Sequence, residues 1–297
     1  MYAIAPGSVA GTAVPAGSLL GFGITGVHHL RGGVRSELPE AASRDFQAAM
    51  LEETGVPFRR EELLTRPGNS YGRLAVSALE PLARDHDLDL VVVAYAVPDY
   101  FAARLPTTEI IQAHPRVRAA FGVADMGVVA PFQALELAEL FATRHGYERV
   151  AVVALDQVTL PYAVRAEPYQ VPRTDAAVAV VLERTADPRT GLAQRHGVAR
   201  GFGAAQRSAV SEVLDRLCST AGVQPVRVVV GAGIDPAWMP DVAAQVVRAQ
   251  HGAPCTGVWA YLAATVEEPV VVLEADPALG AVHGLIALPG ACGEPAP

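Results

Sequence analysis

The stretch VVVAYAVPDY (Val91–Tyr100) returns, altered, as VVVGAGIDPAW (Val228–Trp238). Each copy opens on three valines, β-branched residues that favour a strand. Each then breaks at a turn carrying Asp and Pro. Outward from this pair the correspondence continues. VALD (Val153–Asp156) is echoed by LEAD (Leu273–Asp276), and DAAVAVVLE (Asp175–Glu183) by GAVHGLIAL (Gly280–Leu288). GFGITGV (Gly21–Val27) is echoed more loosely by GVARGFG (Gly197–Gly203). Similar strings arise by chance; a shared order of segments points to duplication. The polar Pro/Gly stretch TADPRTGLAQ (Thr185–Gln194) marks the seam. The expected division is therefore 1–190 and 191–297, with 1–20 as an N-terminal extension.

Short apolar runs bounded by turn residues predict buried strands at Leu88–Ala96, Arg149–Leu155, Ala177–Glu183, Val226–Gly231, Val270–Ala275 and Gly284–Leu288. Helical spacing predicts helices at Ser43–Glu53, Tyr71–Arg84, Pro131–His145, Ser208–Ala221 and Pro240–Gln250. Strands alternating with helices imply a largely parallel sheet covered on both faces, an α/β architecture.

Composition narrows the chemistry. With 51% hydrophobic and 18% charged residues, the 297-residue chain can bury a large core. Its 23 basic residues are all Arg, which excludes a Schiff-base lysine, a Walker lysine and a Ser-Lys dyad. The net charge of −8 and the lack of a basic run argue against nucleic-acid binding. Cys218, Cys255 and Cys292 form no close-spaced pair, so neither a disulfide framework nor a structural zinc site is expected. The N-terminus lacks a basic segment ahead of an unbroken apolar one. No signal peptide and no membrane span are read there, and the expected location is the cytoplasm. The Gly-rich pieces lack the dinucleotide-binding fingerprint, and there is no G-x-S-x-G elbow.

Five segments in order resemble the thiolase fold, and within it β-ketoacyl-ACP synthase III. They are TGVPFRREELLTRPGNSYGRLAVSALEPLA (Thr54–Ala83), DLDLVVVAYAVPDY (Asp87–Tyr100), LPTTEIIQAH (Leu105–His114), AAFGVADMGVVAPFQALELAELF (Ala119–Phe141) and DAAVAVVLE. The resemblance runs from about Gly21 to Leu288. It implies two similar βαβαβαββ halves in five layers, α-β-α-β-α, and a dimer formed through a strand of the first half.

The departures fall on the chemistry. In the family a cysteine at a helix N-terminus accepts the acyl group, activated by the helix dipole and backbone N–H groups. Aligned on Phe132–Leu135, that position falls at Gly127 or Val128. The family's His falls within Gly231–Gly233, where there is none, and its Asn position is Ala253. On the cofactor side, Glu53 stands where the family has a phosphate-reading Arg, and no aromatic residue lies near Ala49–Met50 to stack an adenine. Coenzyme A is thereby disfavoured against a phosphopantetheine-linked acyl group on a carrier protein, or no acyl ligand at all. No resident cofactor or metal is expected.

Several residues have a functional reading beside a plainer one. Cys255, at the expected start of a helix Thr256–Val266, is either a displaced nucleophile with His251 as its base or a small buried hydrophobe. Asp125 is a general base, or an N-cap or turn residue. His28 and His29, expected to follow the first strand, are metal ligands only if others join them, and otherwise loop residues. His283 sits in a strand whose family equivalents face the pocket. Arg59 and Arg60 contact a phosphopantetheine arm or an acidic carrier protein, or are a solvated pair.

The expected function is a degenerate synthase III-like subunit, paired as a homo- or heterodimer with a homologue in a specialised acyl or polyketide pathway. The family contains cysteine-less partners of this kind, such as chain-length factors. The alternatives are an active but atypical acyltransferase or condensing enzyme, and a binding module for an acyl ligand or carrier protein.

Overall fold

The alternation of valine and alanine along the central strands builds the core. In β2 (Leu90–Tyr95), Val91 and Val93 face one side of the sheet while Val92 and Ala94 face the other, and all four are buried. A strand buried on both faces needs a layer on each side. The computed structural model describes residues 21–33, 37–54, 59–84, 86–160, 167–185, 192–198, 204–264 and 268–288. The N-terminal extension, the middle of the expected seam and Cys292 lie outside these.

The first sheet has the order β1-β5-β4-β2-β3. It is built from β1 (Phe22–Arg31), β2, β3 (Ala120–Val123), β4 (Arg149–Asp156) and β5 (Ala176–Arg184). The second has the order β6-β10-β9-β7-β8. It is built from β6 (Leu192–Val198), β7 (Arg227–Val230), β8 (Gln245–Arg248), β9 (Val270–Asp276) and β10 (Ala281–Ala287). The two orders are one topology used twice. In each, the third and fourth strands of the half flank its valine strand, the second, in parallel, and the last two pair antiparallel. The echo of VVVAYAVPDY in VVVGAGIDPAW is β2 against β7, VALD in LEAD is β4 against β9, and DAAVAVVLE in GAVHGLIAL is β5 against β10.

The helices form the outer and central layers. α3 (Tyr71–Ala83) and α4 (Pro106–Ala113) cover the outer face of the first sheet, α3 through Leu74, Ala75, Ala78 and Leu79. α6 (Ala204–Ala221) covers the outer face of the second through Val210, Val213 and Leu217. Between the sheets lie α5 (Ala130–His145) and a 3₁₀ segment, Trp259–Ala264. Phe132, Leu135, Trp259 and Leu262 pack there against Val92 and Val152 of one sheet and Val229 and Val272 of the other. α1 (Ala41–Thr54) and α2 (Arg60–Thr65) precede α3. The result is the expected five-layer α-β-α-β-α arrangement.

Four expectations are corrected. Residues Pro240–Gln250 do not form a helix. Val246 and Val247 instead lie in β8, which hydrogen-bonds along the open side of β7; the β-branched pair and an available strand edge outweigh the helical spacing. The helix expected at Thr256–Val266 is a turn followed by the 3₁₀ segment, because Gly252, Pro254 and Gly257 weaken a helix there; residues 265–267 lie outside the description. His28 and His29 lie within β1 rather than after it, paired with Ala179 and Val178. The partner of β1 in the second half is Leu192–Val198, upstream of most of GVARGFG, whose residues 199–203 are not described.

Candidate functional site

β4 and β9 occupy the same place in their sheets, and each ends on a buried aspartate, Asp156 and Asp276. Their carboxylates cross the central layer in opposite directions, each onto the other half. Asp276 Oδ2 accepts the backbone N–H of Val128 at 3.2 Å, where the chain enters α5. Its Oδ1 accepts from the Tyr169 hydroxyl at 3.0 Å and from the N–H groups of Ala278 and Leu279, and both oxygens accept from the Gln170 amide at 3.2 Å. Asp156 accepts the N–H groups of Cys255 and Thr256, the latter at 2.9 Å, and the Thr256 hydroxyl at 2.7 Å. Each half supplies the N-terminal cap for the other half's central segment, and the carboxylates sit where the backbone dipoles favour a negative charge. Burial nevertheless pushes the Asp156 carboxyl up to about 6, against the pull of its Thr256 and Cys255 hydrogen bonds.

This arrangement fills the place at which the family's nucleophile was expected. Gly127 has φ of +55°, and a Cβ there would lie 2.0 Å from Asp276 Oδ2. The Val128 side chain is buried in the central core. The Val128 N–H, a donor of the kind that would polarise a thiolate or an oxyanion, is thus spent on an internal carboxylate. Glu274 occupies the expected histidine position in the same way. Its Oε1 accepts from the N–H of Gly233 at 3.1 Å and of Ala275 at 3.0 Å. A Cβ on Gly231 would lie 1.7 Å from its other oxygen, and one on Gly233 would lie 1.8 Å from the Ala275 carbonyl oxygen. No side chain fits at either glycine without moving the Glu274 carboxyl or the β9 backbone. Burial raises Glu274 to about 8, so at neutral pH it is largely the neutral acid.

The predicted site residues separate. Cys255 is fully buried, and burial, reinforced by the charge of Asp156, drives its thiol well above the ordinary range, against a backbone hydrogen bond from Ala96. A thiolate is disfavoured there, which removes the basis for a nucleophile. His251 is exposed, and among the described residues no hydrogen bond joins it to Cys255. Asp125 is exposed, with φ of +63°. It shapes the turn, and the cap expected of it is provided by Asp276. His283 is buried on β10 directly opposite Glu274, its ring 5.8 Å from that of Phe132. Arg59 is exposed; Arg60 opens α2, and its side chain lies outside the description. Ala253, the expected asparagine position, instead lines a cavity of about 250 Å³ with His29, Arg31 and Ala260. Burial lowers the pKa of His29, and the charges of Arg31 and His28 add to the effect. Among the described residues no helix is long and apolar enough to cross a membrane, and no group of three His, Cys, Asp or Glu side chains is placed to hold a metal ion.

Sequence reasoning missed Asp156, Glu274 and Asp276 as a set. The signal was present. An acid inside a run as apolar as VVVLEAD is buried by its neighbours, and a buried acid needs donors. The matching Asp of VALD gave the symmetry.

No family model matches the chain, and no curated protein matches it. Solved structures do. The 3-oxoacyl-(acyl carrier protein) synthase III, FabH, of Pseudomonas aeruginosa is 17% identical, with 93% of this chain and 99% of that one covered at a TM-score of 0.56. OleA of Xanthomonas campestris, as a point variant, is 14% identical with the same coverage and a TM-score of 0.55. The acyltransferase ChlB3 is 16% identical, covering 92% of this chain and 99% of its own, at a TM-score of 0.60. With its doubled strand order and shared central layer, this chain has the thiolase-like fold of the β-ketoacyl-ACP synthase III structures.

Proposed function

We propose that this protein is a non-catalytic synthase III-like subunit that pairs with a catalytic homologue and supports acyl condensation or transfer. The observation that carries the reading is Asp276. A buried carboxylate holds the Val128 N–H at the head of α5 and occupies the space a side chain on Gly127 would need. Glu274 supports it by filling the space beside Gly231. Buried Cys255 offers the rival reading of an active enzyme no accessible thiolate.

A pairing surface is available in the first sheet. β3 is an edge strand; its Phe121 packs 4.9 Å from Phe141 of α5, and Phe141, Leu140 and Met126 are exposed apolar residues. Exposed edges and apolar patches are what protein partners cover. The exposed Arg59 is the contact offered to an acidic acyl carrier protein. The cytoplasm is the proposed setting.

The test is to incubate the purified chain with short and long acyl thioesters, alone and with a homologue that retains the cysteine, and to record intact mass and particle size. The expected result is no adduct on this chain, a mixed dimer, and acylation of the partner. A covalent acyl adduct on this chain overturns the reading.

A further inference from the structure

The two halves differ most in what fills the central layer. In the first half α5 presents Phe132 and Leu135 to the core. In the second, the corresponding ground is a turn and a short 3₁₀ segment. Its Ala253, Gly257 and Ala260 face the ends of β1 and β5 across the cavity of about 250 Å³. The facing wall carries Thr174, His29 and Arg31. Gln250, Thr256 and Tyr261 also line it, with the hydroxyls of Thr256 and Tyr261 given to Asp156 and the Arg248 carbonyl; the exposed wall is mostly apolar, and a guanidinium stands at its edge. Arg31 is exposed and, among the described residues, has no carboxylate partner. The nearby acids that could have neutralised it are committed elsewhere, Asp156 to Cys255 and Thr256, and Asp175 to Asn69 and Val158.

We propose that this cavity binds a small monocarboxylic acid, its short hydrocarbon body against Ala253, Gly257 and Ala260 and its carboxylate on Arg31. A guanidinium fork pairs with one planar carboxylate through two parallel hydrogen bonds, and the apolar wall rewards a body of a few carbons. A phosphate would ask for more donors than this single cation and its few polar neighbours supply. The site is separate from the blocked position at Gly127 and does not depend on whether the protein pairs with a homologue.

The experiment uses the whole chain with hexanoate, hexanol, hexylammonium and inorganic phosphate as probes, read by isothermal titration and by thermal shift. Hexanoate is expected to bind and raise the melting temperature, with hexanol weaker and hexylammonium and phosphate inactive. Arg31→Gln, an exposed change, is expected to weaken hexanoate by roughly tenfold, about 1.4 kcal/mol, and to leave hexanol unaltered. Ala260→Leu, which fills the cavity, is expected to remove binding of both. If Ala260→Leu fails to fold, Arg31→Gln and the hexanoate-to-hexanol ratio decide the matter. Hexanoate and hexanol binding alike, an Arg31→Gln variant binding hexanoate as the parent does, or phosphate binding better than hexanoate would each overturn the proposal, as would no hexanoate binding at all.

Discussion

Replacing Asp276 by Ala should cost this protein a large part of its stability. The carboxylate is fully buried and accepts from Val128, Tyr169, Gln170, Ala278 and Leu279. With the acid gone, the buried N–H of Val128 has no partner, at a cost of about 1–3 kcal/mol. Tyr169 and Gln170 are half-buried and regain some water, so each of their lost bonds costs nearer 0.5–1 kcal/mol, roughly. The expected total is about 3–4 kcal/mol, a sizeable share of the roughly 5–15 kcal/mol that holds a typical domain. Asp276→Asn should cost about half as much: it keeps the shape and one acceptor but turns an N–H₂ toward groups that already donate. The assay is guanidinium unfolding, with the midpoint expected to fall at constant slope. Asp125→Asn is the control; the residue is exposed at φ +63°, which Asn tolerates, and the midpoint should hardly move. A loss below about 1 kcal/mol for Asp276→Ala would refute the claim that this carboxylate locks the two halves.

Four further outcomes are expected. Gly127→Ala should destabilise by at least the roughly 1–2 kcal/mol of a left-handed non-glycine residue, because its Cβ would meet Asp276 Oδ2; adding Asp276→Ala should shrink that penalty, which a double-variant cycle measures. Glu274 is raised from 4.5 to about 8, so the folded state holds a proton that the unfolded state releases. Between about pH 5 and 8 stability should therefore fall by roughly 1.4 kcal/mol per pH unit from this group, and Glu274→Gln should flatten that slope in pH-dependent denaturation. Val128→Cys should not restore acylation by a thioester, since Asp276 still holds that N–H; an adduct in the intact mass would contradict this. Leu140→Asp should weaken self- or partner association in sedimentation without lowering the melting temperature by more than a degree or two, roughly as expected for an exposed site.

Much of the fold was legible because its signals are local. β2, β4, β5, β7, β9 and β10 are valine- and alanine-rich strings that must be buried on both faces, and their repeated order gave the duplication. What failed was decided by distant partners. Val246 and Val247 fit a helix or a strand by spacing, and the open side of β7 settled it. The sequence placed the synthase III Cys, His and Asn positions at Gly127 or Val128, within Gly231–Gly233, and at Ala253 as an expectation from resemblance. The carboxylates packed against those positions were not legible, because Asp276 and Val128 are 148 residues apart in the chain and meet only across the central layer.

The substituted centre also shows why an active site and a stable core make opposite demands on the same atoms. A helix N-terminus that stabilises an oxyanion must keep its N–H groups unsatisfied until substrate arrives, which costs folding energy. Here Val128 N–H has an internal acceptor in Asp276, and the Cys255 and Thr256 N–H groups have one in Asp156. The two-fold relation of the halves makes the solution reciprocal: the same aspartate at the end of the same strand seals the opposite segment. Placing a helix-head nucleophile at α5 would therefore need at least two coordinated changes, the nucleophile itself and removal of the carboxylate that holds the Val128 N–H. The second change alone weakens the joint between the halves. That coupling ties the head of α5 to the joint between the two halves.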